Sequence, residues 1–116
     1  MTSKEKTSLI CKILSEKKAC DIVFLDVEEK TSLCDYFVIA GGRSKTQVKS
    51  LAENLEEKLK KEYNLSPQRV EGVRSGRWAV LDYTDVIVHL FCDEERDFYR
   101  LERLWEDGAN LKRYED

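Results

Sequence analysis

The sequence predicts an α/β domain in which helices pack on a mixed β-sheet of about five strands, in the order α-β-β-α-β-β-β-α. Three observations carry that expectation. Apolar residues recur at helical spacing in three stretches; short runs rich in β-branched residues separate them; and the two kinds of pattern are punctuated by Gly, Asn and Pro at the expected boundaries.

The first helix is read over Ser8 to Lys18, where Leu9, Ile10, Ile13 and Leu14 form one stripe opposite Lys12, Glu16 and Lys17. Ile22 to Val27 is too short for a helix and reads as a buried strand, and Tyr36 to Ala40 follows closely enough to form an antiparallel hairpin with it. Gly41 and Gly42 stop that strand. Ser44 then opens a long helix, with Gln47 three residues on completing an S-x-x-Q capping box, and Val48, Leu51, Ala52, Leu55 and Leu59 supply its apolar face. Asn64 and Pro67 end it, because Asn accepts a left-handed cap and Pro cannot continue the ladder. Further strands are expected at Gln68 to Val73, Trp78 to Tyr83 and Val86 to Phe91, the last two joined by a tight turn around Thr84. A final helix is expected from about Glu94 to Asp107, with Phe98, Leu101, Leu104 and Trp105 on its apolar stripe.

At 116 residues the chain fits one domain, residues 1–116, with enough length for one hydrophobic core. Hydrophobic residues make up 41% and charged residues 37%, with one Pro, which is globular rather than disordered composition. A net charge of −3 argues against sequence-independent binding of free nucleic acid and favours a basic protein surface as partner. Arg69, Arg74 and Arg77 form a local exception, most simply a solvated loop. No apolar run is long enough for a membrane helix, and the polar start MTSKEKTS lacks a signal-peptide core, so a cytoplasmic, bacterial form is expected. Cys11, Cys20, Cys34 and Cys92 contain no C-x-x-C pair, and most of them read as small core residues. His89 and Cys92 lie three apart on a strand, hence on opposite faces, so no metal or other cofactor is expected.

Three places offer chemistry. The Gly41-Gly42-Arg43-Ser44 loop precedes a helix, where backbone amides attract anions, but it lacks the P-loop and dinucleotide patterns. It resembles the entry to a nucleotidyltransferase, yet the following strand brings Gln68, Arg69 and Val70 instead of metal-holding aspartates. Asp82 and Asp85 flank a turn, which turn chemistry explains more cheaply than an acid/base pair. His89 has no Ser or Cys nucleophile placed beside it. Trp78, Val80 and Asp82 share one strand face, and Ala79, Leu81 and Tyr83 the other. A Trp beside a carboxylate fits either a core position or the anchor of a protein interface.

Several separated blocks, DYFVIAGGRSKTQV from Asp35 to Val48, the pair Glu71-Gly72, WAVLDYTDVIVHLF from Trp78 to Phe91, and R-x-F-Y-x-L-E-x-L-W from Arg96 to Trp105, resemble the ribosomal silencing factor family, the Iojap-like proteins. The resemblance spans nearly everything from Asp21 to Trp105. It implies a non-enzymatic α/β domain, related in fold to nucleotidyltransferases. Such a protein binds the large ribosomal subunit through its ribosomal protein fourteen, blocks joining of the small subunit and so represses translation. Trp78, Asp82, Tyr83, Asp85, His89 and Tyr99 are the partner-contact residues it implies, and homodimerisation would compete with docking. The alternative is a nucleotidyltransferase-like enzyme that binds nucleotide at Gly41 to Ser44. One departure from the family stands at Thr84, where relatives often carry Gly and where a β-branched residue is costly if φ is positive.

Overall fold

The computed structural model describes residues 1–93 and 101–115. Its helices are α1 (Ser3–Glu16), α2 (Lys45–Tyr63) and a single turn α3 (Glu102–Trp105). The strands are β1 (Cys20–Asp26), β2 (Tyr36–Gly42), β3 (Arg69–Glu71), β4 (Trp78–Asp82), β5 (Val86–Cys92) and β6 (Leu111–Arg113). They form one mixed sheet in the order β3-β4-β5-β2-β1-β6. Only β2 and β5 run parallel; every other neighbour pair is antiparallel, including the expected β1–β2 hairpin.

The α/β class and the mixed sheet are as the sequence indicates, with a sixth strand, β6, beyond the expected five. Its residues Leu111, Lys112 and Arg113 carry no strand pattern and are extended because they pair with Leu25, Phe24 and Val23 of β1. The first helix starts earlier than its apolar stripe. Thr2 caps it, accepting from the Glu5 amide at 3.1 Å, while the Glu5 carboxylate accepts from the Thr2 amide at 3.1 Å. That capping box lies ahead of the first stripe residue, and the buried Thr7 fills an interior position that its polarity disguises. The α2 boundaries follow the expected signals. Ser44 Oγ accepts from the Gln47 amide at 3.1 Å, Asn64 adopts the left-handed conformation, and the Leu65 amide reaches back to the Leu59 carbonyl at 3.0 Å. The Gln47 side chain, however, accepts from Arg43 N–H at 2.6 Å, one residue before the cap, so the box is shifted. The expected helix from Glu94 to Asp107 is described only in part: residues 94–100 lie outside the described residues, and the helical turn ends at Trp105.

Two apolar layers result. On one side of the sheet, α1 and α2 cover Tyr36, Val38, Ala40, Ala79, Leu81, Tyr83, Val86, Val88 and Leu90. On the other, Val23, Leu25, Phe37, Ile39 and Phe91 pack with Leu101, Trp105 and Leu111. Strand β2 is buried along its whole length, as a central strand with both faces covered must be. At the margins, β3 and β6 are three residues long and rich in Arg and Lys. Among the described residues no helix is long and apolar enough to cross a membrane.

Candidate functional site: an aromatic sheet face bounded by a strained turn

Register in the β4–β5 hairpin decides what the opposite face presents. Trp78 pairs with Phe91, Val80 with His89 and Asp82 with Ile87, so these six residues line one surface, on the side away from α1 and α2. Trp78 is half-buried and stacks on Phe91 with ring centroids 5.0 Å apart. Its indole Nε1–H donates to Nδ1 of His89 at 3.1 Å, a diagonal contact across the hairpin. His89 is only 8% exposed and also meets the edge of Phe37. An Nδ1 that accepts leaves the proton of the neutral ring on Nε2, and that nitrogen is buried with no hydrogen-bond partner among the described residues. Burial pushes the imidazole down to about 4, so at neutral pH it is an uncharged bracket for the Trp78 ring.

Gly72 fixes where Trp78 starts. With φ at +77°, it passes so close to β4 that an added Cβ would lie 1.9 Å from the Trp78 carbonyl oxygen. Glycine alone fits there, which gives a physical meaning to the Glu71-Gly72 pair noted in the sequence.

At the far end, Thr84 has φ +78°. The Asp85 amide donates to the Tyr83 carbonyl at 3.0 Å, a three-residue turn of the γ type whose positive-φ form is strained. Asp82 Oδ1 accepts from the Thr84 amide at 2.8 Å, and Lys6 Nζ holds Asp85 Oδ1 at 2.6 Å while also reaching the Tyr83 carbonyl at 3.4 Å. The Asp85 carbonyl accepts from the Asp35 and Tyr36 amides at 2.8 and 3.2 Å. Both aspartates are thus engaged in fixing the turn and in tying it to α1 and β2. No group of three or more His, Cys, Asp or Glu capable of holding a metal occurs among the described residues.

The six residues that the resemblance implied therefore divide. Trp78 and Asp82 share the aromatic face, with His89 beneath Trp78. Asp85 sits at the turn, bound to Lys6. Tyr83, directly after β4, packs in the helix-side cluster and is 4% exposed, so its side chain lies in the core and not on the aromatic face. Its hydroxyl is buried without a partner among the described residues, and burial together with Glu56 raises its pKa. Tyr99 lies outside the described residues. Missed by sequence reasoning was the Trp78–His89 contact, although a two-residue turn at Thr84 and Asp85 already sets the register that produces it.

Fold and site together define a small α/β domain with a mixed six-stranded sheet, one face under two helices and the other ending in an aromatic hairpin. The chain belongs to the family described as ribosomal silencing factor during starvation, which matches residues 1–116. Among its relatives, the ribosomal silencing factor of Halalkalibacterium halodurans is 34% identical over 112 residues, covering 97% of this chain and 95% of that protein. The one from Bacillus subtilis is 35% identical, covering 93% and 91%. The mouse protein named mitochondrial assembly of ribosomal large subunit protein 1 is 28% identical over 89% of this chain and 46% of its own length. A crystal structure of a Chromobacterium violaceum protein superposes with a TM-score of 0.87 at 36% identity, covering 95% of this chain and 92% of that one.

Proposed function

We propose that this protein docks on the large ribosomal subunit through ribosomal protein fourteen, keeps the small subunit from joining, and represses translation reversibly and without a covalent step. The match of the whole chain to a ribosomal silencing family carries the reading. What supports a contact surface is a half-buried aromatic ring, held by His89 and Phe91 at one end of the β4–β5 hairpin, with the carboxylates of Asp82 and Asp85 at the other end. A large ring with a polar rim suits an interface anchor, and an acidic margin suits a basic ribosomal protein. In this proposal Trp78 and Asp82 make contact, Asp85 and His89 set their positions, and Tyr83 supports the strand from the core. Tyr99 belongs to the same proposed surface. The chain acts as one domain, residues 1–116, in the cytoplasm, and a homodimer is a second state that competes with docking.

Sedimentation of purified subunits tests this. The protein is expected to travel with the large subunit and to reduce the joined ribosome peak; travel with the small subunit alone is incompatible with the proposal. Trp78→Ala is expected to weaken docking by about 2 kcal/mol, roughly 30-fold. Trp78→Phe, which keeps the stacking on Phe91, controls for loss of folding.

A further inference from the structure

Two sequence features that no site has absorbed, the Gly41–Ser44 loop and the arginines before β4, come together at one end of the sheet. The register places Gly42 of β2 beside Cys92 of β5, and the Cys92 amide donates to the Arg77 carbonyl at 2.9 Å. Gly76, with φ at +72°, is buried so tightly against the first turn of α2 that an added Cβ would lie 2.6 Å from the Lys45 carbonyl oxygen. From the other flank, Gln47 Nε2 donates to the Lys18 carbonyl at 3.2 Å, which brings the turn after α1 to the same place. Lys17, Lys18, Arg43, Lys45, Arg74 and Arg77 are thereby gathered from three separate loops.

All six are exposed, and none forms an ion pair among the described residues. Among the described residues the carboxylates on the flanking elements are few and mostly engaged: Glu16, beside Lys17, is held by Lys58 at 3.4 Å. Glu71 faces Arg69 at 3.9 Å, Asp21 is held by Arg113 at 3.2 Å, and Asp93 is exposed beyond Cys92. In a chain whose net charge is −3, unpaired cations concentrated at one end are a local reversal of the overall balance. Ser44 Oγ already takes the Gln47 amide and the Gln47 side chain takes the Arg43 amide, so the attraction is assigned to the charged side chains. What remains available is a cluster of long, mobile cations.

We propose that this basic end contacts the phosphate backbone of ribosomal RNA when the protein is docked, giving the complex a second contact remote from the Trp78 face. The inference rests on the docking proposed above. Phosphodiester is the favoured partner because the cations belong to three loops and show no apolar centre, which fits a repeating charge better than a shaped protein surface. A few such contacts strengthen a complex already positioned by another surface without making the free protein a general nucleic-acid binder.

The test measures binding of the full chain to purified large subunits at about 50 and about 200 mM salt, comparing wild type with Arg43→Gln, Arg74→Gln and Arg77→Gln combined. With about 0.9 in log–log slope for each phosphate neutralised, three contacts make the wild type lose roughly 40-fold more affinity over that range than the variant. An unchanged thermal midpoint is expected because the substituted side chains are exposed and make no ion pair. Ultraviolet irradiation of the wild-type complex is expected to leave nucleotide adducts on peptides containing Arg43 or Arg74. Equal affinity and parallel salt dependence overturn the inference but leave the docking intact. Carbodiimide links from Lys45 to a ribosomal protein, without nucleotide adducts, assign the surface to an acidic protein and overturn it as well. If wild type fails to bind large subunits at all, the proposed function falls and this inference with it.

Discussion

Lowering the pH from 7.5 to about 5 should destabilise this protein through one side chain. The chain has a single histidine, so one imidazole titrates in that interval. In the folded state burial brings His89 to about 4, against an ordinary value of 6.5. Geometry reinforces the direction, because a proton added at Nδ1 would face the indole N–H that now donates to it. The unfolded chain therefore takes up a proton that the folded chain refuses, and stability falls as pH drops from about 6.5 toward about 4. The complete gap corresponds to about 3 kcal/mol, of which about 2 kcal/mol is lost by pH 5. In a domain of this size that is a fall in Tm of about 8 °C. The assay is urea unfolding at several pH values for wild type and His89→Gln, whose amide can still accept from Trp78. Glu5, Glu57 and Asp107, all held below the usual carboxylate range by hydrogen bonds, also lose stabilisation on acidification but do so in both proteins. The difference between the two curves belongs to His89. Matching slopes between pH 7.5 and 5, or an imidazole titrating near 6.5 by NMR, would refute the reasoning.

Other substitutions probe the frame around the site. Thr84→Gly is expected to raise stability by about 1 kcal/mol, since relief of a positive φ outweighs the loss of the 3.3 Å hydrogen bond to Gln68; a lower melting temperature would contradict the strain argument. Gly72→Ala should cost roughly 2–4 kcal/mol and move the Trp78 emission maximum, because the new methyl group meets a carbonyl oxygen; a variant of normal stability would show that the loop yields freely. Asn110→Ala should cost about 2 kcal/mol in chemical denaturation. Its amide donates to the Asp26 and Trp105 carbonyls, each at 2.9 Å, and accepts from the Asp107 amide at 2.9 Å, so it joins α3 to the start of β6. Hydrogen exchange confined to residues 107–113 in that variant would localise the effect.

How far the sequence reaches depends on how local each feature is. Helix α2 could be read end to end because its cap, its apolar stripe and its left-handed terminator are all local. The inward and outward residues of β4 followed from alternation alone. By contrast, the parallel pairing of β2 with β5 joins segments separated by α2 and two strands, and no local pattern specifies it. Strand β6 exists through its partner, as the exposed Lys112 and Arg113 show. At the site, side-chain identity located the Trp78 face but not the roles within it. Turn chemistry is the favoured reading of Asp82 and Asp85, and Asp82 does cap the turn, whereas the pairing of Asp85 with Lys6 of α1 is a long-range contact with no local signal. The bracket between His89 and Trp78 was within reach, since a turn at Thr84 sets both residues on the same surface.

The pairing of β6 with β1 also bears on how the chain is made. Residues 23–25 of β1 leave the ribosome long before residues 111–113 exist, so the layer containing Val23, Leu25 and Phe37 has to wait for its cover. During that interval the growing chain carries an apolar surface, and this layer closes only once residues 111–113 have been made. A chain stopped after Trp105 is expected to bind a hydrophobic dye that the 116-residue chain excludes; equal dye binding would mean that β6 is dispensable for closure.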